Sequence, residues 1–214
     1  MKLITLDSVV PEIFAKRKDL RSDIWLAPVT FERGKRYLVE AASGSGKSSL
    51  CSFLYGQRGD YRGRISFDGD DISRFGRGRW CDVRRRELSM LFQELRLFPE
   101  LTAWENVQIK NRIENTQSDS TIESWFEALG IADKRKARVA RMSYGQQQRV
   151  ALMRALCQPF DFLLLDEPVS HLDEENGRLM CDIILQEASR RGAGIISTSI
   201  GRHLDMEYDK VLSL

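Results

Sequence analysis

The stretch YLVEAASGSGKSSL, Tyr37 to Leu50, constrains this chain more than any other. An apolar run ends in small residues, then Gly46-Lys47-Ser48, then residues at helical spacing that stop at Gly56, a position suited to a helix C-cap. A strand, a glycine-rich loop and a helix in that order aim backbone N–H groups at one point, and such an array attracts phosphate. The stretch fits the phosphate-cradling pattern G-x-x-x-x-G-K-[ST] at every fixed position but the first, where Ala41 stands. Ser43, Gly44, Ser45, Gly46, Lys47, Ser48 and Ser49 are therefore the candidate phosphate-binding set. Gly44 and Gly46 supply backbone freedom, Lys47 reaches the β/γ-phosphates, and Ser48 offers its hydroxyl to Mg²⁺. The competing reading is a small-residue turn that caps a helix. Alanine at position 41 costs little if the backbone there has φ < 0 and is strained otherwise.

The 214 residues, 42% of them hydrophobic, are enough for one sizeable core with a small subdomain. A net charge of +2 is too mild to argue for nucleic acid. The basic clusters Arg74 to Arg86 and Lys134 to Arg141 lack interleaved aromatics beyond Phe75 and Trp80, and read as solvated faces. Cys51, Cys81, Cys157 and Cys181 are scattered without C-x-x-C spacing, which argues against zinc or a disulfide framework and for reduced thiols in the cytoplasm. No run has the length of a membrane span, and the N-terminus lacks the pattern of a signal peptide. Any service to a membrane is expected to run through a partner.

LITLDSVV, IWLAPVTF and RYLVEA read as strands, GRISFDGDDIS as a hairpin-like pair about Asp68-Gly69, and RRRELSMLFQ as a further strand. From Pro99 to Leu156 the signals are helical, with TIESWFEALG amphipathic, SYGQQQRVALMRALCQ led by an N-cap serine, and IENTQSDST a polar linker. FDFLLLDEP is a buried strand, ENGRLMCDIILQEASRRG a helix ending at Gly192, and GIISTS and KVLSL are final strands. Strands and helices alternate at both ends around a helical block. That order predicts an α/β fold with a mostly parallel sheet and an inserted helical subdomain.

The end of FLLLDEP delivers Asp166 and Glu167 side by side. An aspartate there suits a Mg²⁺ shell and a glutamate suits polarising an attacking water; an ordinary acidic pair at a strand end is the plainer reading. RMSYGQQQRVALMRAL lies just upstream, and it resembles the signature motif of ABC ATPases, written L-S-G-G-Q, with the helix that follows it. Met142-Ser143-Tyr144-Gly145-Gln146 stands at the motif. MLFQELRLFPELTAWENV resembles the family's Q-loop region with Gln93 at the key place, and SHLD, Ser170 to Asp173, resembles its D-loop. With the Gly-Lys-Ser loop and the Asp-Glu pair, five motifs stand in family order over nearly the whole chain.

The resemblance implies a RecA-like P-loop core with a mixed sheet, an antiparallel β region and an inserted helical subdomain. Residues 1–92 and 157–214 would form the core and 93–156 the helical, signature-bearing part. It implies ATP and Mg²⁺ as ligands and ATP hydrolysis as the activity. Glu167, Gln93 and Lys47 would be catalytic, and Ser48, Gln93 and Asp166 would hold the metal. A second nucleotide-binding subunit, identical or not, would receive Ser143, Gly145 and Gln146 at its own ATP, head to tail. The further partner implied is a transmembrane permease, which places the chain in the cytoplasm on the inner face of the membrane. Leu95, Leu97 and Phe98 would either dock that permease or pack the helical subdomain, and Phe14 would either stack on adenine or lie in the core. His171 stands at the variable place of the D-loop, near the implied subunit interface. The compact motifs resemble most the group serving lipoprotein-release, macrolide-export and cell-division complexes. Amino-acid import ATPases share them, so substrate and direction stay open.

Three positions depart from the family. Ala41 replaces the first loop glycine, Tyr144 the first signature glycine, and Ser199 stands where the family has a histidine after a late strand. Serine donates a hydrogen bond but carries no charge near neutral pH. His203 lies four residues on and reads as a surface histidine unless the loop folds back. Turnover is expected to be slower than with the histidine by roughly ten- to a thousandfold, the scale of one transition-state donor. The alternative function is an ATP-gated regulatory or signalling module with little hydrolysis. A soluble ABC ATPase of DNA repair or translation would need a coiled-coil insertion or a second cassette, and the sequence contains neither.

Overall fold

A computed structural model of the chain describes residues 1–17, 19–170 and 172–214. In chain order its elements are β1 (Leu3–Pro11), β2 (Val29–Glu32), β3 (Arg36–Glu40), α1 (Lys47–Leu54), β4 (Tyr61–Phe67), β5 (Asp70–Asp71), α2 (Arg77–Asp82), β6 (Leu88–Leu91), α3 (Ala103–Glu114), α4 (Asp119–Ala128), α5 (Tyr144–Leu156), β7 (Phe162–Asp166), α6 (Glu174–Arg191), β8 (Gly194–Ser199) and β9 (Lys210–Ser213).

Five strands form a wholly parallel sheet in the order β6-β7-β8-β3-β9. Every residue of β7 and β8 is buried. Parallel strands covered on both faces need such unbroken burial, which is why FLLLD shows no alternation. The register sets Asp166 beside Thr198 and Glu40 beside Ser199. The carboxyl ends of β3, β7 and β8 therefore meet at one edge, where open α/β sheets bind ligands. The antiparallel pairs form a separate sheet, β2-β1-β4-β5. Its tight turn, Asp68-Gly69, has φ of 50° and 93°. A type I′ hairpin needs left-handed backbone at both positions, and the Asp-Gly pair supplies it.

The helical block is three capped helices rather than a continuous run. Thr102 with Glu105, and Ser143 with Gln146, form capping boxes, and the Ser118 hydroxyl accepts from Thr121 N–H. Val107, Ile122, Phe126, Val150 and Met153 pack in one cluster with Leu163 and Leu165 of β7 and Ile184 of α6. A second cluster joins β1 and β2 to α1 and the other face of the parallel sheet through Leu6, Phe31, Leu50, Phe53 and Leu164.

Three expectations need adjusting. Ile24 and Trp25 are buried but not in a strand. The Ser22 hydroxyl accepts their backbone N–H groups at 3.0 and 2.8 Å, and this local turn competes with strand pairing. The strand read from Arg84 begins only at Leu88, because Val83–Glu87 makes a π-helical turn. The polar linker is fastened: the Asn111 amide bonds both backbone groups of Gln117, and the buried Gln117 side chain donates to Glu187 at 2.8 Å.

Much of the basic charge between Arg74 and Arg86 is occupied. Arg79 pairs with Glu87, Arg85 and Arg86 pair with Glu114, and Arg84 donates to the carbonyls of Tyr55 and Gly56. In the second cluster Arg135 pairs with Glu123 and Lys134 with Asp133. All four cysteines are free; Cys51, Cys157 and Cys181 are buried, and burial pushes the Cys181 thiol up to about 11. Among the described residues no helix is long and apolar enough to cross a membrane.

Candidate functional site

The loop between β3 and α1 is built for close approach. Gly46 is the N-cap of α1 with φ 101°, and Gly44 has φ 79°. A Cβ at Gly46 would come within 3.1 Å of both the Phe14 and Trp25 rings, a tight approach at a φ that already strains any other residue. The Trp25 indole N–H donates to the Ser45 carbonyl at 3.0 Å. Ala41 is not among the residues with positive φ. Its methyl group therefore meets no conformational penalty, and the departure from glycine is explained by its place at the end of a strand.

A cleft of about 490 Å³ opens over this loop. Ser43, Gly44, Gly46, Lys47, Ser48 and Ser49 line it from the loop and α1, Gln93 from the end of β6, Glu167 from the end of β7, and Ile200 from beyond β8. The Lys47 ammonium is buried and donates to the carbonyls of Ala41 and Ala42 at 3.2 and 3.0 Å, with Glu167 Oε1 at 3.8 Å. The Ser48 hydroxyl lies 3.5 Å from Gln93 Oε1, and Gln93 Nε2 lies 3.4 Å from Glu167 Oε2. Glu167 holds φ 52°, an uncommon conformation for a residue with a side chain and one that clusters at functional sites.

Asp166 is buried behind Glu167. Burial pushes its carboxyl up from the ordinary range, against hydrogen bonds from Thr198 and Ser48 that favour the charged form. The Thr198 hydroxyl donates to Asp166 Oδ1 at 2.9 Å and accepts the Glu167 N–H at 3.2 Å, so one side chain orients the Asp166 carboxylate and holds the backbone of Glu167. Ser48 Oγ, Gln93 Oε1 and the Asp166 carboxylate are hard oxygen donors of the kind Mg²⁺ takes. Beside a loop whose Gly46 holds a left-handed φ under two close aromatic rings, this donor set fits a magnesium-bound phosphate chain.

Other predicted residues lie apart from the cleft. The Ser45 hydroxyl turns to the Ala42 carbonyl at 2.8 Å and is spent within the loop. Ser143 and Gln146 cap α5 reciprocally. Gly145 sits where a Cβ would come within 3.2 Å of Leu172. None of these four lines the cleft. Ser199 is fully buried and donates to the Arg202 carbonyl at 2.6 Å, while the next residue, Ile200, lines the cleft. His203 is exposed, bonds the Leu204 carbonyl through Nδ1, stacks edge-on to Tyr208 and lines a different hollow with Glu174 and Arg178. His171 lies outside the described residues. Leu95 is core, Leu97 packs partly buried against it, and Phe98 is half exposed. Of that apolar trio Phe98 is the residue most open to a docking partner. Phe14 is buried and also lines the cleft, with the Arg17 guanidinium 4.4 Å over its ring.

The sequence reading missed Trp25, Thr198, Ile200, Arg17 and Arg58. Arg58 lines the cleft, donates to the Ser49 hydroxyl at 3.0 Å and pairs with Asp60. Thr198 had a signal, since it is the last residue before Ser199 on a strand that neighbours β7. The others arrive from loops whose course no motif dictates.

A family model described as ABC transporter matches residues 27–170. An uncharacterised ABC transporter ATP-binding protein of Thermotoga maritima is 34% identical over 163 residues, covering 74% of this chain and 70% of that protein. The lipoprotein-releasing system ATP-binding protein LolD of Coxiella burnetii is 30% identical over 185 residues, covering 85% and 79%. The macrolide export ATP-binding/permease protein MacB of Shewanella sp. is 31% identical over 192 residues; the match takes in 87% of this chain and only 29% of MacB. In fold the chain is similar to the dimeric ATP-binding cassette MJ0796 in a post-hydrolysis state bound to ADP and Pi, with a TM-score of 0.74, 22% identity, and 92% and 87% of the two chains covered.

Proposed function

This chain belongs to the ABC transporter family and is an ATP-binding, ATP-hydrolysing cassette; from that premise we propose how its residues divide the work. The observation that carries the reading is the meeting of Lys47, Ser48, Gln93 and Glu167 over one glycine loop, with Asp166 directly behind. Backbone N–H groups of residues 43–49 receive the phosphates, helped by the N-terminus of α1. Lys47 leaves the carbonyls of Ala41 and Ala42 for the β/γ-phosphates, an exchange of neutral acceptors for charged ones. Ser48, Gln93 and Asp166 hold Mg²⁺, which when bound neutralises charge on the phosphates. Glu167 accepts a hydrogen bond from the attacking water and orients it toward the γ-phosphorus. Thr198 fixes the direction of the Asp166 carboxylate and holds the backbone at Glu167.

Ser143, Gly145 and Gln146 stand outside the cleft of their own chain, which suits their use by another. In a head-to-tail pair, the first turn of α5 would face the γ-phosphate held by the second subunit and supply donors and a helix N-terminus there. ATP then joins two subunits, and hydrolysis parts them. The division into a core of 1–92 and 157–214 and a helical part of 93–156 gives this motion its two bodies. A transmembrane permease receives the work, with Phe98 on the docking side. The relatives are ATP-binding components of transport systems, which favours energising transport over a regulatory module with little hydrolysis.

Two variants test the reading. Lys47→Ala is expected to weaken ATP binding at least tenfold, measured with a fluorescent nucleotide; unchanged affinity removes the cradle assignment. Glu167→Gln is expected to keep ATP and elute as a dimer with it; a monomer at saturating ATP counts against the two-subunit arrangement.

A further inference from the structure

Residues 93–96 run through two consecutive left-handed positions, Leu95 at φ 58° and Arg96 at φ 51°, neither of them glycine. A Cβ disfavours that conformation at each, so neighbours must hold it. The neighbours that do so belong to α5. The Tyr144 hydroxyl donates to the Gln93 carbonyl at 2.8 Å, and Arg154 donates to the carbonyls of Leu95 and Arg96 at 2.6 and 2.7 Å. One helix thus grips three carbonyls within four residues, from its first turn and its last. Gln93 in turn reaches Ser48 and Glu167 with its side chain. Tyr144 stands where the family has a small residue, so this grip on Gln93 is a property of the present chain.

Resting on the function proposed above, we infer that Tyr144 is a positioning residue that ties the metal-site glutamine, at the edge of the helical part, to the signature end of α5. The first turn of α5 is the part offered to the second subunit's nucleotide. Gln93 meets the nucleotide of its own chain. A hydrogen bond between them lets engagement at one site set the geometry at the other. A chain with glycine at 144 lacks this bond and keeps the Arg154 contacts and the apolar packing of Leu95 against the α5 cluster.

Tyr144→Phe removes one oxygen from a partly exposed side chain and leaves the fold intact. In nucleotide-free protein, hydrogen exchange at the amides of 93–98 is expected to quicken about fivefold, the worth of one hydrogen bond. In the hydrolysis assay, the Mg²⁺ concentration for half-maximal rate is expected to rise by about the same factor. Nucleotide affinity measured without Mg²⁺ should stay within about twofold, a split that a merely structural loss would not produce. A wild-type chain that binds no Mg-ATP refutes the functional reading. A wild-type chain that hydrolyses ATP, with Tyr144→Phe matching it in both exchange and Mg²⁺ dependence, refutes the positioning role and leaves the functional reading standing.

Discussion

The place of the missing histidine can be decided by two substitutions one residue apart. Sequence order points to Ser199, while Ile200 is the neighbour whose side chain lines the cleft. Ser199 is fully buried, with its hydroxyl bonded to the Arg202 carbonyl, whereas Ile200 is 47% exposed and lines the cleft with Gln93 and Glu167. Ser199→His must fit an imidazole into a filled site, at about 1–3 kcal/mol, and give up a hydrogen bond of about 1 kcal/mol. Together these predict a loss of about 2–4 kcal/mol without a donor in the cleft. Ile200→His forfeits only the buried half of an isoleucine, about 1 kcal/mol. Its imidazole enters the cleft, where one transition-state donor is worth roughly ten- to a thousandfold in rate. The assay is steady-state phosphate release with Mg-ATP, read beside the urea midpoint of each variant, with Ile200→Ala as the control for lost bulk. Ile200→His is expected to gain at least tenfold and Ile200→Ala nothing. Ser199→His at wild-type stability with a faster rate, and Ile200→His without one, would refute the reasoning.

Ala41→Gly should bind ATP within about twofold of the wild type and lose about 0.5–1 kcal/mol of stability, because the native φ is open to alanine and glycine only loosens the unfolded chain; a marked gain in affinity would mean the loop needs the freedom. Asp166 has a raised carboxyl pKa, so the folded chain holds that proton more tightly than the unfolded one and ionised Asp166 costs stability. Asp166→Asn should therefore raise Tm at neutral pH while Mg²⁺-dependent hydrolysis falls at least about a hundredfold. The Tm difference should shrink as pH falls into the range where Asp166 takes its proton; a difference flat in pH would contradict burial as the cause. Gln117→Ala should cost about 1–3 kcal/mol in urea unfolding, since it strips a buried donor from Glu187; a loss within about 0.5 kcal/mol would restore the view of IENTQSDST as a plain linker.

The parallel sheet was legible because FLLL of β7 is an unbroken apolar run, the other strands carry short apolar stretches, and each candidate site residue stands at or after the end of a strand. Lys47 follows β3, Gln93 follows β6, and Asp166 and Glu167 end β7, so strand order alone gathers them at one edge. The start of α5 was legible too, since Ser143 carries its own N-terminal signal, whereas the Thr102–Glu105 box that opens α3 emerged only from the structure. Ile24 and Trp25 misled because burial and strand composition go together in most sequences. Here a serine turn buries both without pairing them, and the indole props the phosphate loop instead.

What pattern could not reveal is the direction in which a side chain turns. Ser199 and Ile200 are neighbours at a strand end, and which of them enters the cleft depends on how residues 200–203 close back on the Ser199 hydroxyl. The same holds for Gln93. Its identity was readable, but its position depends on two left-handed residues after it and on Tyr144 and Arg154, more than 50 residues away in sequence, gripping the carbonyls. Motifs register which groups a reaction needs. The backbone conformations that aim those groups are held by long-range contacts, so a departure from a motif such as Tyr144 takes its meaning from the carbonyl it reaches.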